Sequence, residues 1–397
     1  YFSNNGGEKW IQLTGNFPTI NVRDLDIQKR ENDLIVGTFG RGIYILDNYS
    51  PLRNLTKENL EKEAYLFPVK DARMYVMDDS RSKDAYGSSF YRADNPPFGA
   101  IFTYYIKEGY KTKRDNRLKT EKEYADKNEP SPYPSLDELW KEDIEQKPEL
   151  IFNVYDSNNN LVRTLTAPAR PGINRINWDL RYPNLNPVKE NTNPNKNSGF
   201  PVLPGKYKVT LSKNIDGVIT QISGPVEFEV KHLKNSTLPV ANRKDLVDFQ
   251  TKVGKLMQAV SASNEYFNDV YKKVQLMKSA VKNTPNVDIK LLEKIRTIEY
   301  KLETLRITLF GNSTIEKRNE NQTPSINDRM GYITWVVWDI DSAPTNTAKM
   351  NYDIVSKQLK GFLNDFKTMI NNEIIPIQSE LQKIGAPWTP GREPIWD

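Results

Sequence analysis

The sequence contains no cysteine and only one histidine, His232, among its 397 residues. Disulfides, thiolate zinc sites, cysteine nucleophiles and metal centres built from several histidines are therefore excluded. Long apolar runs are lacking as well, since no stretch reaches the roughly 18 apolar residues that a membrane-spanning helix needs. We expect no metal, no cofactor and no direct membrane span.

The sequence also has little excess charge of either sign. Lys and Arg number 56 against 51 for Asp and Glu, which leaves a net charge of +5 on a large surface. Proteins that bind nucleic acid concentrate basic residues in a patch, so we expect no nucleic-acid partner. The chain is too long for one ordinary core, and its length predicts two to four domains.

Two regions of β-strand pattern come first along the chain. Residues 1–80 contain short apolar runs between Gly, Asn and Asp turn signals. The expected strands there are Lys9–Thr14, Val22–Ile27, Leu34–Thr38, Gly42–Leu46, Ala64–Phe67 and Arg73–Val76. Residues 81–236 alternate with period 2, for example at Val226, Phe228 and Val230, and predict an Ig-like β-sandwich. A charged insertion at about 107–147 interrupts this region, and Ser135 and Glu138 in it match a helix capping box.

Residues 237–385 change to a helical period. From Asn242 onward apolar residues recur alternately three and four positions apart, which predicts a long helix that ends near Pro285. The same spacing continues in later segments, one of them opening at Ser325 with a capping-box pattern and the last bent at Pro376. These segments predict an antiparallel helical bundle, followed by an irregular tail at 386–397.

The first ten residues carry the most specific motif. Ser3, Asn5, Gly7 and Trp10 fit the spacing SxDxGxxW, with asparagine in the aspartate position. In such a turn the Ser3 and Asn5 side chains accept backbone amides, Gly7 takes a positive φ, and Trp10 packs beneath. The motif predicts a structural role for these residues and no catalytic one.

The motif resembles the Asp-box of BNR-repeat proteins. The segment WIQLTGNFPTINVRDLDIQKRENDLIVGTFGRGIYILDN resembles the last blade of bacterial sortilin-like β-propellers, and LRYP at 180–183 and VLPGKYKVTL at 202–211 extend the resemblance. It implies that residues 1–80 form terminal propeller blades and that further N-terminal blades of the same protein are their partners. Because one blade cannot close a propeller, we expect this chain to be the C-terminal portion of a larger protein. Members of this family are typically exported, so we expect a secreted or cell-surface protein, including an outer-membrane association.

Three residues are candidate ligand contacts. Arg41 lies in GTFGRG, where family members often have GTHGRG, and could either bind an anionic ligand in a propeller channel or support the blade turn. Trp335 and Trp338 are three residues apart, so they could share a helix face and stack on sugars; packing in the bundle core is the favoured alternative. Asp156, which begins a calcium-loop-like run, lacks the required Gly and Glu and predicts a hairpin turn.

The resemblance leaves three functions open. In the preferred hypothesis, this chain is a structural and accessory region of a surface β-propeller protein that binds a glycan or a polypeptide ligand. In the second, the protein is a sialidase- or glucanase-like glycoside hydrolase whose catalytic residues lie in other blades. In the third, it is a sortilin-like peptide receptor or a secretion-linked factor. We expect no complete active site in residues 1–397.

Overall fold

The computed structural model describes residues 1–13, 15, 17–75, 95–188, 198–233, 241–285, 287–394 and 396. The chain divides into two compact units. The first, a β-rich unit, comprises Tyr1–Pro183, Asn193–Ser198 and Val202–Asn235, and the second, a helical unit, comprises Asn184–Thr192, Gly199–Pro201 and Ser236–Asp397. The predicted domain boundaries at 80/81 and 236/237 lie outside the described residues. The predicted combination of β-sheets with a C-terminal helical region is confirmed.

An antiparallel sheet of three strands begins the β-rich unit. Its strands are β1 (Val22–Gln28), β2 (Asp33–Thr38) and β3 (Ile43–Leu46), arranged in chain order. These strands match the three predicted for this stretch to within a residue at each end. The predicted strand at Lys9–Thr14 is wrong for its described part, because Ile11 makes only an isolated bridge to Phe2 and Thr14 lies outside the described residues.

Two further sheets form the β core. Their strands are β4 (Ala64–Leu66), β5 (Ala72–Met74), β6 (Ala100–Ile106), β7 (Glu149–Asp156), β8 (Leu161–Pro168), β9 (Gly172–Trp178), β12 (Gly205–Ile215) and β13 (Val218–His232); the short strands β10 (Arg181–Pro183) and β11 (Ser198–Pro201) lie between β9 and β12. One sheet has the order β5-β13-β12-β7-β8 and the other the order β4-β6-β9. The apolar side chains of both sheets form one buried cluster, in which Phe102 stacks on Phe152.

The alternation read from the sequence places this core correctly. On β12, Val209 and Leu211 are fully buried, and on β13 Phe228 and Val230 are buried, because side chains two positions apart in a strand share a face. Strands β4 and β5 pair with this later β region, β5 running parallel to the end of β13, and not with β1–β3. The first 80 residues therefore contribute to two separate sheet systems.

The charged insertion folds into two exposed helices, α2 (Lys113–Asp126) and α3 (Leu136–Asp143); a shorter helix, α1 (Lys57–Glu61), precedes them. The predicted capping box at Ser135 and Glu138 is confirmed, since each residue's side chain accepts the other's backbone N–H. Helix α2 was not predicted. It is polar all round, so its sequence has no apolar period to detect.

The helical unit contains α4 (Arg243–Lys282), α5 (Lys290–Phe310), α6 (Ser313–Glu316), α7 (Ile326–Val337), α8 (Asn346–Met369) and α9 (Ile375–Lys383). As predicted, α4 begins after Asn242, whose side chain accepts the Lys244 N–H, and ends before Pro285. Ser325 caps α7 in the predicted capping box. A π-helical turn at Ile370–Ile374 separates α8 from α9, directly before Pro376, where the missing N–H and the proline ring disturb the regular ladder.

Side-chain contacts give the helix directions. Glu299 of α5 lies beside Lys278 of α4, and Phe310 of α5 packs on Phe267 of α4, so the two helices are antiparallel. Gln250 of α4 donates to the Val337 carbonyl at the end of α7, and Asn264 of α4 donates to Asn327 near the start of α7, so α7 is antiparallel to α4. The unit is therefore a helical bundle in which α5 and α7 both run antiparallel to α4.

The predicted apolar seams fill the bundle core. Almost every seam residue of α4, α5 and α8 is buried, and one cluster unites them with apolar residues of α7 and α9. The predicted irregular tail packs on this unit, because Gln378 and Gln382 of α9 donate to the carbonyl oxygens of Gly391 and Glu393. Among the described residues, no helix combines the length and apolarity that crossing a membrane requires.

Candidate interaction surface

The SxDxGxxW segment forms a hydrogen-bonded turn. The Ser3 hydroxyl oxygen accepts the Gly7 N–H at 2.9 Å, and Asn5 Oδ1 accepts the Lys9 N–H at 3.0 Å. Gly7 has a φ of 91°, and its Cα faces the Trp10 indole, which lies 3.8 Å from where a Cβ would stand. Trp10 nevertheless remains largely exposed. These side chains order the turn, and the Trp10 ring is left open to solvent on its other side.

Sheet β1–β3 exposes apolar side chains on both of its faces. The pairing places Leu25, Val36 and Tyr44 on one face, which we call face A, and Ile35 and Ile45 on the opposite face B. Leu25 is 60% exposed and Ile45 is 58% exposed. An antiparallel sheet that packs on one side carries apolar residues on the packed face and polar residues on the solvent face. Here Phe17 packs edge-on against Tyr44 of face A, with ring centroids 4.9 Å apart, but Leu25 on face A and Ile45 on face B stay open to solvent.

The sheet is attached to the β core through its loops. Glu31, in the β1–β2 turn, forms an ion pair with Lys70 and accepts a hydrogen bond from Arg73 at 3.0 Å. After β3, Arg175 of β9 donates to the carbonyl oxygens of Asp47 and Asn48 at 3.0 and 3.3 Å. Both attachments use polar groups at the end of the sheet, which is why its apolar faces stay open.

A cavity of about 400 Å³ lies beside these attachments, lined in part by Tyr75, Phe98 and Arg175. Of the carboxylates that line this cavity, Glu31 has a shifted pKa. The hydrogen bond from Lys70 lowers that pKa, and partial burial, which opposes the shift, does not reverse it. Glu31 is therefore a carboxylate at neutral pH whose charge is used to hold the loop, so it cannot act there as a general acid.

The GTFGRG turn connects β2 to β3 and presents Arg41. Gly40 and Gly42 both have positive φ, and the Thr38 N–H and hydroxyl both donate to the Gly42 carbonyl. The predicted tight turn is confirmed. Arg41 is exposed at its tip, and the neighbouring Phe39 ring is covered by the Arg23 guanidinium at 4.8 Å. The turn can thus offer a cation to an anionic group.

The two candidate tryptophans occupy different environments. Trp335 of α7 is 80% exposed, whereas Trp338, which follows the helix, packs edge-on against Phe200 with ring centroids 5.4 Å apart. Core packing is confirmed for Trp338 and wrong for Trp335. Their shared face was inferred from spacing alone, but Phe200 comes from a distant segment that covers only one of the two rings.

The remaining predicted positions have structural surroundings. Asp156 Oδ1 accepts the backbone N–H groups of Asn158 and Asn160, which confirms the hairpin turn between β7 and β8. His232 is the last residue of β13 and pairs with Met74 of β5. Asp156 and His232 are thus the last residues of strands β7 and β13 in the β core.

One exposed surface was missed at the sequence level. Leu136, Trp140 and Ile144 recur four residues apart along α3, and the structure exposes all three. The spacing was available as a signal, since residues four apart share one helix face. An apolar helix face is ordinarily expected to point inward, and nothing in the local sequence indicates that it points outward here.

Comparison with known proteins adds little to this description. No protein-family model matches the sequence, and no curated protein matches it. A solved structure described as the BSP domain of a biofilm-associated protein is 12% identical over 51% of this chain, with a TM-score of 0.16. The chain spans 19% of that protein's length. A score this low does not indicate a shared fold, and the resemblance to BNR-repeat propellers stays a prediction.

Proposed function

We propose that this chain is a structural and accessory region of a larger β-propeller protein, in which sheet β1–β3 is a terminal blade. One observation carries the proposal: the sheet, which its loops attach to the β core, exposes Leu25 on face A and Ile45 on face B. A small sheet is stable in water only if it has a hydrophobic face to bury or another element to pack against. Covering both faces with neighbouring blades would remove this apolar surface from water and stabilise the sheet.

The other parts of the chain have supporting roles in this proposal. The β core, with two sheets around the buried Trp178, serves as an Ig-like support next to the blade. The complete propeller binds a glycan or a polypeptide ligand. Arg41, exposed on its turn, is the proposed contact for an anionic group, and Trp335 offers an exposed ring for stacking. Trp338 contributes by fixing the end of α7. The proposal includes secretion or display at the cell surface.

Glycan hydrolysis is not favoured by any observation on these residues. A glycosidase needs a carboxylic acid that stays protonated, so its pKa must be raised. Within the described ranges, the carboxyl groups whose pKa is shifted, Glu31 and Glu63 among them, have that pKa lowered. We therefore assign binding and support to this chain.

Lysine substitutions on the two sheet faces test the proposal. Leu25→Lys changes face A and Ile45→Lys changes face B, and Leu161→Lys changes an exposed leucine on β8 as a matched control. We expect the unsubstituted chain to bind a hydrophobic dye and to self-associate in sedimentation velocity. Each face variant should lose much of both signals while keeping its far-UV circular dichroism.

The control decides the interpretation. Leu161→Lys should leave dye binding and self-association unchanged, because Leu161 is a single exposed side chain outside the blade. If all three variants behave alike, or if the unsubstituted chain neither binds dye nor associates, sheet β1–β3 is not a surface that needs covering.

A further inference from the structure

Helix α3 is amphipathic, but it is held by its polar face. The Glu142 carboxylate accepts two hydrogen bonds at 2.8 Å from Arg117 of α2, which also donates to Glu121 at 2.6 Å. Glu145, just after the helix, accepts the Lys113 N–H at 2.7 Å. The side chains of Glu142 and Glu145 are almost fully covered by these contacts. A polar network thus fixes which side of α3 faces α2.

The opposite face of α3 is apolar and open. Leu136 is 80% exposed, Trp140 61% and Ile144 57%, and they follow one another at the four-residue spacing of a single helix face. Soluble proteins bury such a face or reserve it for a partner. Because the ion pair between Arg117 and Glu142 fixes the orientation of α3, the helix cannot turn inward to cover its apolar face without breaking that pair.

Two acidic residues border this face, and Lys141 is the one basic residue of α3. Asp137 and Asp143 border it on its two sides at helical spacing, and no hydrogen bond or ion pair among the described residues engages either carboxylate. On the other side of the helix, Glu142 and Glu145 already accept hydrogen bonds from Arg117 and Lys113 of α2, and Glu138 accepts them from Ser135 in the capping box. A ligand that matches this face needs apolar side chains flanked by positive charges.

We propose that the outward face of α3 docks a basic amphipathic polypeptide segment, whose apolar side chains cover Leu136, Trp140 and Ile144 while its Lys or Arg residues pair with Asp137 and Asp143. Docking of an amphipathic helix generally uses apolar anchors that recur three and four residues apart on one face. A central aromatic anchor such as Trp140 commonly dominates the affinity. The inference does not depend on the proposed blade, because α3 lies outside sheet β1–β3.

The test uses the whole chain and two synthetic helical peptides. One peptide combines leucines at four-residue spacing with lysines, and the other replaces each lysine by glutamate. Fluorescence anisotropy of the labelled peptides measures the dissociation constants. The leucine-lysine peptide should bind, with an affinity that falls as salt rises, and the leucine-glutamate peptide should not. Failure of the first peptide to bind, or equal binding of both, would overturn the proposal.

Substitutions locate the contact. Leu136→Ala and Trp140→Ala should each weaken binding about tenfold or more, as expected for central anchors. The matched variant Leu161→Ala, on a remote strand, should not change it. Removing both carboxylates with Asp137→Asn and Asp143→Asn should weaken binding about threefold and flatten its salt dependence. These residues are exposed, so far-UV circular dichroism should show every variant folded.

Two results would assign the face to something else. If sedimentation velocity shows a dimer that Leu136→Ala dissociates, the occupant is a second copy of this chain and the proposal is wrong. If the peptide binds equally well to the Trp140→Ala and Leu136→Ala variants, it contacts another surface, and the face of α3 has no docking role.

Discussion

Replacing Glu299 by alanine should destabilise the helical unit. Glu299 lies in α5 with its side chain almost fully covered, and its carboxylate accepts hydrogen bonds from Lys278 of α4 at 2.8 Å, from Gln275 at 3.1 Å and from Arg296 at 3.0 Å. The bonds from Lys278 and Gln275 join α4 to α5. The Glu299→Ala change removes all of them and leaves Lys278 without its partner.

The magnitude follows from how exposed the partners are. Hydrogen bonds to a charged group contribute about 1.5–3 kcal/mol, and stripping one partner from a fully buried pair costs about 3–5 kcal/mol. Lys278 and Arg296 are partly exposed and can turn to water, so the smaller range applies. We expect a loss of about 2 kcal/mol in the free energy of unfolding, which lowers the melting temperature by about 4–8 °C for a unit of this size.

The effect should depend on pH. Burial alone would raise the pKa of Glu299, but the hydrogen bonds from Lys278, Arg296 and Gln275 outweigh it and hold the folded-state pKa below the ordinary value. A carboxyl group of this kind stabilises the fold at pH values above its unfolded pKa of about 4.3, and the contribution is lost as the pH falls through the folded-state pKa. The gap between the original chain and Glu299→Ala should therefore be constant near neutral pH and close in acid.

Thermal unfolding followed by far-UV circular dichroism measures this gap. Glu303→Ala is the matched control, because Glu303 lies one turn further along α5 and pairs with Arg306 near the surface, where such a pair contributes less than about 1 kcal/mol. Equal losses in the two variants would refute the reasoning, as would a Glu299→Ala gap that persists unchanged in acid.

Further predictions concern glycines of the helical unit and one turn of the β core. Gly361→Ala should raise the free energy of unfolding by about 0.5–1 kcal/mol, because a Cβ there meets nothing within 4 Å. Gly254→Val should lower it, because a Cβ at that position already lies 3.0 Å from Leu185. Chemical denaturation measures the free energy of unfolding of both variants. Asp156→Ala should lower the free energy of unfolding by about 1 kcal/mol near neutral pH. Burial alone would raise the pKa of Asp156, but hydrogen bonds from Asn160 and Asn158 outweigh it and lower that pKa. The stability difference should therefore vanish in acid, and urea midpoints that still differ there would contradict this prediction.

Local periodicity predicted most of the helical unit. The three- and four-residue spacing in α4, α5 and α8 identifies their buried seams, and the capping side chains of Asn242 and Ser325 mark the starts of α4 and α7. These signals are local, because a helix buries one stripe of its own surface and satisfies its first amides with its own cap. The strands of sheet β1–β3 were predicted for the same reason.

Long-range contacts explain what the sequence could not show. Strands β4 and β5 join the later β region, and no local pattern encodes a partner more than 30 residues away. Trp338 is covered by Phe200 from another segment, whereas Trp335 is not. The outward face of α3 depends on the pairing of Glu142 with Arg117, which are separated by a loop. In each case the decisive contact is distant in sequence.

Hydrogen exchange of residues 22–46 tests the central claim most directly. The measurement compares this 397-residue chain with the larger β-propeller protein proposed above, called here the intact protein. If sheet β1–β3 is a blade covered by neighbouring blades, burial of Leu25, Ile27, Ile43 and Ile45 should stabilise it by about 1 kcal/mol or less for each residue. Amide exchange of residues 22–46 should then be about a hundredfold slower in the intact protein. Strands β12 and β13 should exchange at the same rate in both samples. Equal exchange of residues 22–46 in the two samples would contradict the account.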